Sequence, residues 1–191
     1  MEKVNLIDSG KLNRWSKEIY DCAEAHGFKH VKVNNQFFLG MILTEIAELI
    51  EADRTGRRAE EAEFRRALTF EAADKDSYFK DCYKDFIKGS IEEEFADVVI
   101  RILDLARCEH SDNMVWRFPY PVRIPPYATN VPSRAWHFVK NLLGWGQFNL
   151  SDSVNYMYQW ASSMGIDLDT HIEWKMKYNE LREYHHGDKK Y

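Results

Sequence analysis

IEEEFADVVIRILDLARC, residues 91–108, decides the fold class. Behind its opening acids, the polar residues Glu94, Asp97, Arg101 and Asp104 recur at steps of three and four. That spacing lays a narrow charged stripe along an otherwise apolar helical cylinder, where a half-buried strand would alternate every second residue. A second run, QFFLGMILTEIAELIEAD at 36–53, contains no proline, is apolar nearly all round and carries its own stripe through Glu45 and Glu48. Two such helices are too apolar to stand alone in water, so they must pack against each other and against neighbours. No pair of alternating runs joined by a hairpin turn occurs anywhere in the chain. The expected fold is therefore all-α, a helical bundle with the two striped helices antiparallel and side by side.

Outward from this pair the chain punctuates itself. Asp8 and Ser9 stand where a helix cap belongs, ahead of Leu12, Trp15, Ile19, Tyr20 and Ala23 at helical spacing, and Gly27 closes that helix. A polar connector covers 29–35. The charged stretch 54–90, with paired arginines and glutamates among several aromatics, reads as an insertion of one or two amphipathic helices packed on the outside. Residues 114–132 hold all five prolines together with Trp116, Phe118, Tyr120 and Tyr127, which predicts a long ordered loop, serving as a lid or as an oligomer contact. Ser133 is expected to cap a helix to Leu143, broken by Gly144 and Gly146. Ser151 or Asp152 opens another, closed by Gly165, and a last helix covers 168–183 before a polar tail at 185–191. A single domain over 1–191 is expected.

Composition narrows the function classes. In 191 residues, 45% hydrophobic and 30% charged, there is enough apolar material for one sizeable core. A net charge of −5 leaves no global positive field for a nucleic-acid backbone, so nucleic acid is not an expected partner. Cys22, Cys82 and Cys108 are widely spaced and form no CxxC pair, the pattern of reduced thiols in a cytoplasmic protein. The first ten residues lack the apolar run of a signal peptide, and no stretch approaches a membrane span, so no membrane partner is expected either.

The chemistry lies in the carboxylates. Glu45 and Glu48, and again Glu94 and Asp97, stand one turn apart on one face of their helices. Each stripe taken alone fits the solvent edge of a buried helix, which is what most charged stripes are. Facing each other, the two stripes would crowd four carboxylates into one cavity, and such a group needs a cation to stay ionised. Hard oxygen donors of this kind select Mg2+, with Mn2+ as substitute. An ion so held keeps positions open for phosphate oxygens and water, which is the equipment of a phosphate-ester hydrolase.

The segments Glu45-Ile-Ala-Glu48 and Glu94-Phe-Ala-Asp97, the latter followed by VVIRILDLA, resemble the ExxE and ExxD signature of MazG-like nucleoside triphosphate pyrophosphohydrolases. The chain's end, from Lys175 through Tyr178, Asn179 and Arg182 to His186, Gly187, Lys189, Lys190 and Tyr191, is similar to the terminal segment of many such proteins. The resemblance covers a little over half of the chain. It implies Mg2+ held by Glu45, Glu48, Glu94 and Asp97, and triphosphate contacts from Lys175, Asn179 and Arg182. It also implies hydrolysis of a nucleoside triphosphate, a dNTP being the expected class, to the monophosphate and pyrophosphate by a homo-oligomer. Glu45 or Glu48 would orient or deprotonate the attacking water. The spacing 175, 178, 179 and 182 independently sets those side chains, Tyr178 among them, on one helix face, although a solvated terminal face has the same spacing. Two features depart from the family: the gap between ExxE and ExxD is long, and the aromatic-proline segment lies outside the minimal core.

Base recognition is assigned to Gln36, with Trp15, Phe28, Asn35 and Phe37 nearby, although aromatics at helical spacing are more often core. Competing chemistries find little support. Neither GxSxG nor GxxxxGK[ST] occurs, and the only Glu-x-x-His, Glu183 to His186, cannot make a di-iron bundle. The reading of a different class is a non-catalytic helical protein that binds a partner through the aromatic-proline segment; such a protein would not bind Mg2+.

Overall fold

The computed structural model describes residues 7–28, 34–110, 114–118, 122, 124–144 and 149–185. Among these, eight helices follow one another: α1 (Ser9–Ala25), α2 (Asn35–Thr55), α3 (Glu61–Ala67), α4 (Lys75–Phe86), α5 (Ile91–His110), α6 (Val131–Leu143), α7 (Leu150–Ser163) and α8 (Leu168–Glu180). No strand occurs among the described residues, so the chain is all-α. None of the described helices is long and apolar enough to cross a membrane.

Helix α5 is the axis of the molecule, and α1, α2, α7 and α8 all pack on it. It is buried on nearly every side, from Ile91 and Phe95 through Val98, Val99, Ile102, Leu103 and Ala106. Its first turn carries Glu92, Glu93 and Glu94, where unpaired backbone N–H groups favour negative charge. Ser90 opens it, its carbonyl accepting from the Glu94 N–H at 3.0 Å and its hydroxyl from the Glu93 N–H at 3.2 Å. Helix α2 runs antiparallel beside it. Asn35 at its start bonds Glu109, Glu45 in its middle pairs with Arg101, and Arg57 just past its end accepts from the Ile91 N–H.

The local stops and starts follow from backbone chemistry. The Asp8 carboxylate caps α1, and Gly27, at φ 85°, closes it. Asn34 caps α2 through the Phe37 N–H, and Gly56 turns the chain away in the left-handed region at φ 69°. Helix α6 begins at Val131 with Asn130 as its cap, three residues before the expected cap Ser133, and Pro132 sits in its first turn. Proline is tolerated there because a first-turn N–H has no helical acceptor to lose, so the proline-rich stretch does not exclude helix up to its last member. In the same way Asn149, ahead of the expected Ser151 or Asp152, caps α7 through the Asp152 N–H. The last helix ends at Glu180, three residues short of the expected boundary, where Arg182 N–H bonds back to Asn179 and tightens the final turn.

Two apolar clusters result. The larger joins α1, α2, α5, α6, α7 and α8 around Leu12, Ile42, Phe95, Phe138 and Trp160. The smaller belongs to the charged stretch: α3 and α4 dock on α8 through Phe64, Phe79, Tyr83, Ile87 and Tyr178. Tyr83 stacks on Tyr178 at 4.4 Å and 17°. In the aromatic-proline segment Trp116 is buried and its Nε1 donates to Asn13 at 2.7 Å, while Phe118 stacks on it. These two rings therefore serve the core, whereas Tyr127 is exposed; Tyr120 lies outside the described residues.

Candidate functional site

The antiparallel register of α2 and α5 carries Glu45 opposite Asp97 and Arg101, and the one-turn spacing on α5 adds Glu94. Glu45, Glu94 and Asp97 each present an oxygen within 4.8 Å of the others. Glu45 and Glu94 are buried to 6% and 5% exposure, so the solvent-edge reading does not hold for these two carboxylates. Glu48, one turn further along α2, is exposed and lines the same cavity, close enough to the cluster to raise the pKa of Glu94.

Two cations enter this acidic group. Arg101 Nε donates to Glu45 Oε1 at 2.8 Å. Lys175, reaching in from α8, donates to Glu93 Oε1 and lies against Asp97 Oδ2, both at 2.6 Å. The Lys175 side chain is 10% exposed and those of its two partners 2% and 14%, so the ammonium is a buried counter-ion. Its neighbours explain this position. A desolvated ammonium goes to the nearest carboxylates, and those belong to α5, not to the open wall of the cavity where a phosphate contact was expected. Glu93 is held further by the Tyr83 hydroxyl at 3.2 Å and by the Gly89 N–H.

Charge is unevenly compensated. Burial, reinforced by Asp97 and Glu93 and only partly opposed by Lys175, pushes the Glu94 carboxyl up to about 9. Burial also raises Asp97, to about 7, against the pull of the Lys175 ammonium and with the like charges of Glu93 and Glu45 adding to the rise. For Lys175 itself burial works against the charge, but Asp97 and Glu93 outweigh it and hold the ammonium above its ordinary value. Arg101 follows the same pattern, with Glu45 prevailing over burial. Glu94 Oε2 is buried with no hydrogen-bond partner, an unsatisfied acceptor that a cation or donor from outside the chain would satisfy.

Around the cluster opens a cavity of about 1310 Å³, roomy enough for a ligand of nucleotide size. Its walls include Trp15, Phe28, Phe37 and Met41 in addition to the carboxylates, and Tyr178, Asn179 and Arg182 from the end of α8. The expected residues of the last helix thus do share one cavity. Tyr178 is also core, clamped between the cavity and Tyr83, and Arg182 lies 5.9 Å over its ring. Asn179 Oδ1 is buried without a partner. Gln36, by contrast, is exposed in the first turn of α2 and does not line the cavity; its neighbour Phe37 does, and Asn35 is engaged with Glu109. Of the tail, His186, Gly187, Lys189, Lys190 and Tyr191 lie outside the described residues.

Three contributors escaped sequence reasoning as site residues: Glu93, Arg101 and Asp104, all lining the cavity. Arg101 and Asp104 were visible in the stripe. Glu93 could have been found from its place four residues before Asp97, on the same helix face. No family model, curated protein or solved structure matches the chain.

Proposed function

We propose that this chain is a Mg2+-dependent nucleoside triphosphate pyrophosphohydrolase of the MazG-like kind, acting in the cytoplasm as a homo-oligomer. The observation that carries the reading is the carboxylate trio of buried Glu45 and Glu94 with partly buried Asp97, lining a nucleotide-sized cavity, with an oxygen of Glu94 left unsatisfied. The donor set fits the ion: all are hard carboxylate oxygens, and no histidine or cysteine joins them among the described residues. Bound there, Mg2+ would draw charge from the phosphate oxygens and lower the pKa of a water.

The chain's own groups then divide the remaining work. Glu45, Glu94 and Asp97 would hold the ion. Glu48, exposed on the cavity wall and one turn from Glu45, would orient and deprotonate the attacking water, being the carboxylate of the two stripes that is open to solvent in the cavity. Water would add to the α-phosphorus as the bond to the α–β bridging oxygen breaks, leaving the monophosphate and pyrophosphate. Arg182 and Asn179 line the same cavity and would meet the phosphate chain, while Trp15, Phe28 and Phe37 offer apolar and aromatic surface for a base.

The test is to incubate the protein with each common NTP and dNTP, with and without Mg2+, and to separate pyrophosphate from orthophosphate. Mg2+-dependent pyrophosphate and monophosphate, lost in Glu94→Gln and Asp97→Asn, are expected. Orthophosphate as the product would overturn the assigned bond. Absence of any product, with no Mg2+ bound in calorimetry, would leave the non-catalytic helical binder. Light scattering on the purified protein checks the oligomer, and a monomer at assay concentration would remove that part of the proposal.

A further inference from the structure

We infer that Arg101 and Lys175 set the ion selectivity of the acidic cluster, each occupying one oxygen of a carboxylate so that Glu45 and Asp97 can offer an ion only one oxygen apiece. The inference rests on the proposed divalent-ion site and concerns which ion that site admits.

Arg101 Nε lies 2.8 Å from Glu45 Oε1, and Lys175 Nζ lies 2.6 Å from Asp97 Oδ2. A divalent ion placed on either of those oxygens would stand within a few ångströms of a full positive charge, in an interior that screens poorly. The opposite oxygens, Glu45 Oε2 and Asp97 Oδ1, are therefore the favoured donors. The Lys175 ammonium is not free to swing aside. Lys175 is anchored by a second carboxylate, Glu93, at 2.6 Å, and Glu93 is itself engaged by the Tyr83 hydroxyl and the Gly89 N–H. Glu93 is thus an anchor for the ammonium, and its oxygens are already committed to donors from the chain.

One-oxygen carboxylates discriminate between hard cations. Ca2+ takes about six to eight oxygens and commonly uses carboxylates bidentately, whereas Mg2+ takes six, is satisfied by one or two carboxylates and keeps its waters. Removing the second oxygen of Glu45 and of Asp97 withdraws the bidentate option that Ca2+ exploits and costs Mg2+ or Mn2+ little. The unsatisfied Glu94 Oε2, 5% exposed as a residue, is the independent sign that the cluster is built to receive something from outside the chain. Arg101 and Lys175 are accordingly positioning residues, acting through Glu45 and Asp97.

The experiment is calorimetric titration of Mg2+, Mn2+ and Ca2+ into the full chain, into Arg101→Met, and into the charge-balanced double variant Glu93→Gln with Lys175→Met, each checked for folding by circular dichroism. The native chain is expected to favour Mg2+ and Mn2+ over Ca2+. In each variant the ratio of Ca2+ to Mg2+ affinity is expected to rise about tenfold or more, the scale on which outer-shell partners tune metal sites. Arg101 has a partly exposed side chain, so its replacement tests the idea even if the buried pair proves too costly to alter. An unchanged ratio in a folded variant, or a native chain that binds Ca2+ as tightly as Mg2+, overturns the inference and leaves the divalent-ion site standing. A native chain that binds none of the three ions overturns the site and the selectivity together.

Discussion

At the scale of single residues, Lys175 shows how one charge can bind two helices. Its ammonium satisfies Glu93 and Asp97 at once, so removing it leaves two buried carboxylates with less compensation. Lys175→Met is expected to cost about 3–5 kcal/mol in urea unfolding, the penalty for stranding a buried charge. Adding Glu93→Gln should restore a large part of it. If the double variant is as unstable as the single, the loss comes from packing and not from charge. Glu48 gives the contrasting case of an exposed carboxylate whose work would be chemical. Glu48→Gln is expected to leave stability within about 0.5 kcal/mol and to lower kcat about 10²- to 10⁴-fold with little change in KM. A variant with native kcat would move the base to another residue.

At the scale of elements, the site depends on how two helices are stopped and restarted. Gly56 reverses the chain at φ 69° so that Arg57 can accept from Ile91 at the start of α5. A Cβ there meets nothing within 4 Å, so Gly56→Ala isolates backbone strain from crowding and should cost about 1–2 kcal/mol. A neutral effect by thermal melting would mean that the turn relaxes. The second cluster poses a larger question, since α4 reaches the carboxylates through the Tyr83 hydroxyl on Glu93. Phe64 is fully buried among Phe79, Tyr83 and Trp174. Phe64→Ala should cost about 3–5 kcal/mol. It should also speed hydrogen exchange across 61–86 more than in α2. Uniform loss of protection would show that the two clusters unfold as one unit.

At the scale of the whole molecule, the acidic floor ties stability to pH and to the bound ion. Folding raises Glu94 from 4.5 to about 9 and Asp97 from 3.8 to about 7, so the folded chain binds more protons than the unfolded one across that window. Stability from these groups is complete below the unfolded values and is lost as pH rises through the folded ones. Without divalent ions, the melting temperature should fall between about pH 5 and about 9 more steeply in the native chain than in Glu94→Gln. Mg2+ needs the deprotonated carboxylates, so its stabilising shift should grow over the same range. A Mg2+ shift independent of pH would mean that the ion binds elsewhere.

The sequence by itself determined the helical class, the three helices that matter most and the residues of the acidic trio. Helical period and capping are properties of a few consecutive residues, so α1, α2 and α5 could be read within one to two residues of their ends. The shared face of Lys175, Tyr178, Asn179 and Arg182 was legible for the same reason, and the structure brings all four to one cavity. Boundaries failed where a competing local rule existed, as at Pro132, a helix breaker in general and a tolerated residue in a first turn. What only the tertiary structure decided is which charges meet. That Lys175 turns to Glu93 and Asp97, that Arg101 takes Glu45, and that Gln36 falls outside the cavity while Phe37 falls inside depend on the rotation and register of whole helices. Those are set by burial summed over the apolar faces of α2, α5 and α8, a quantity that no short stretch of sequence contains.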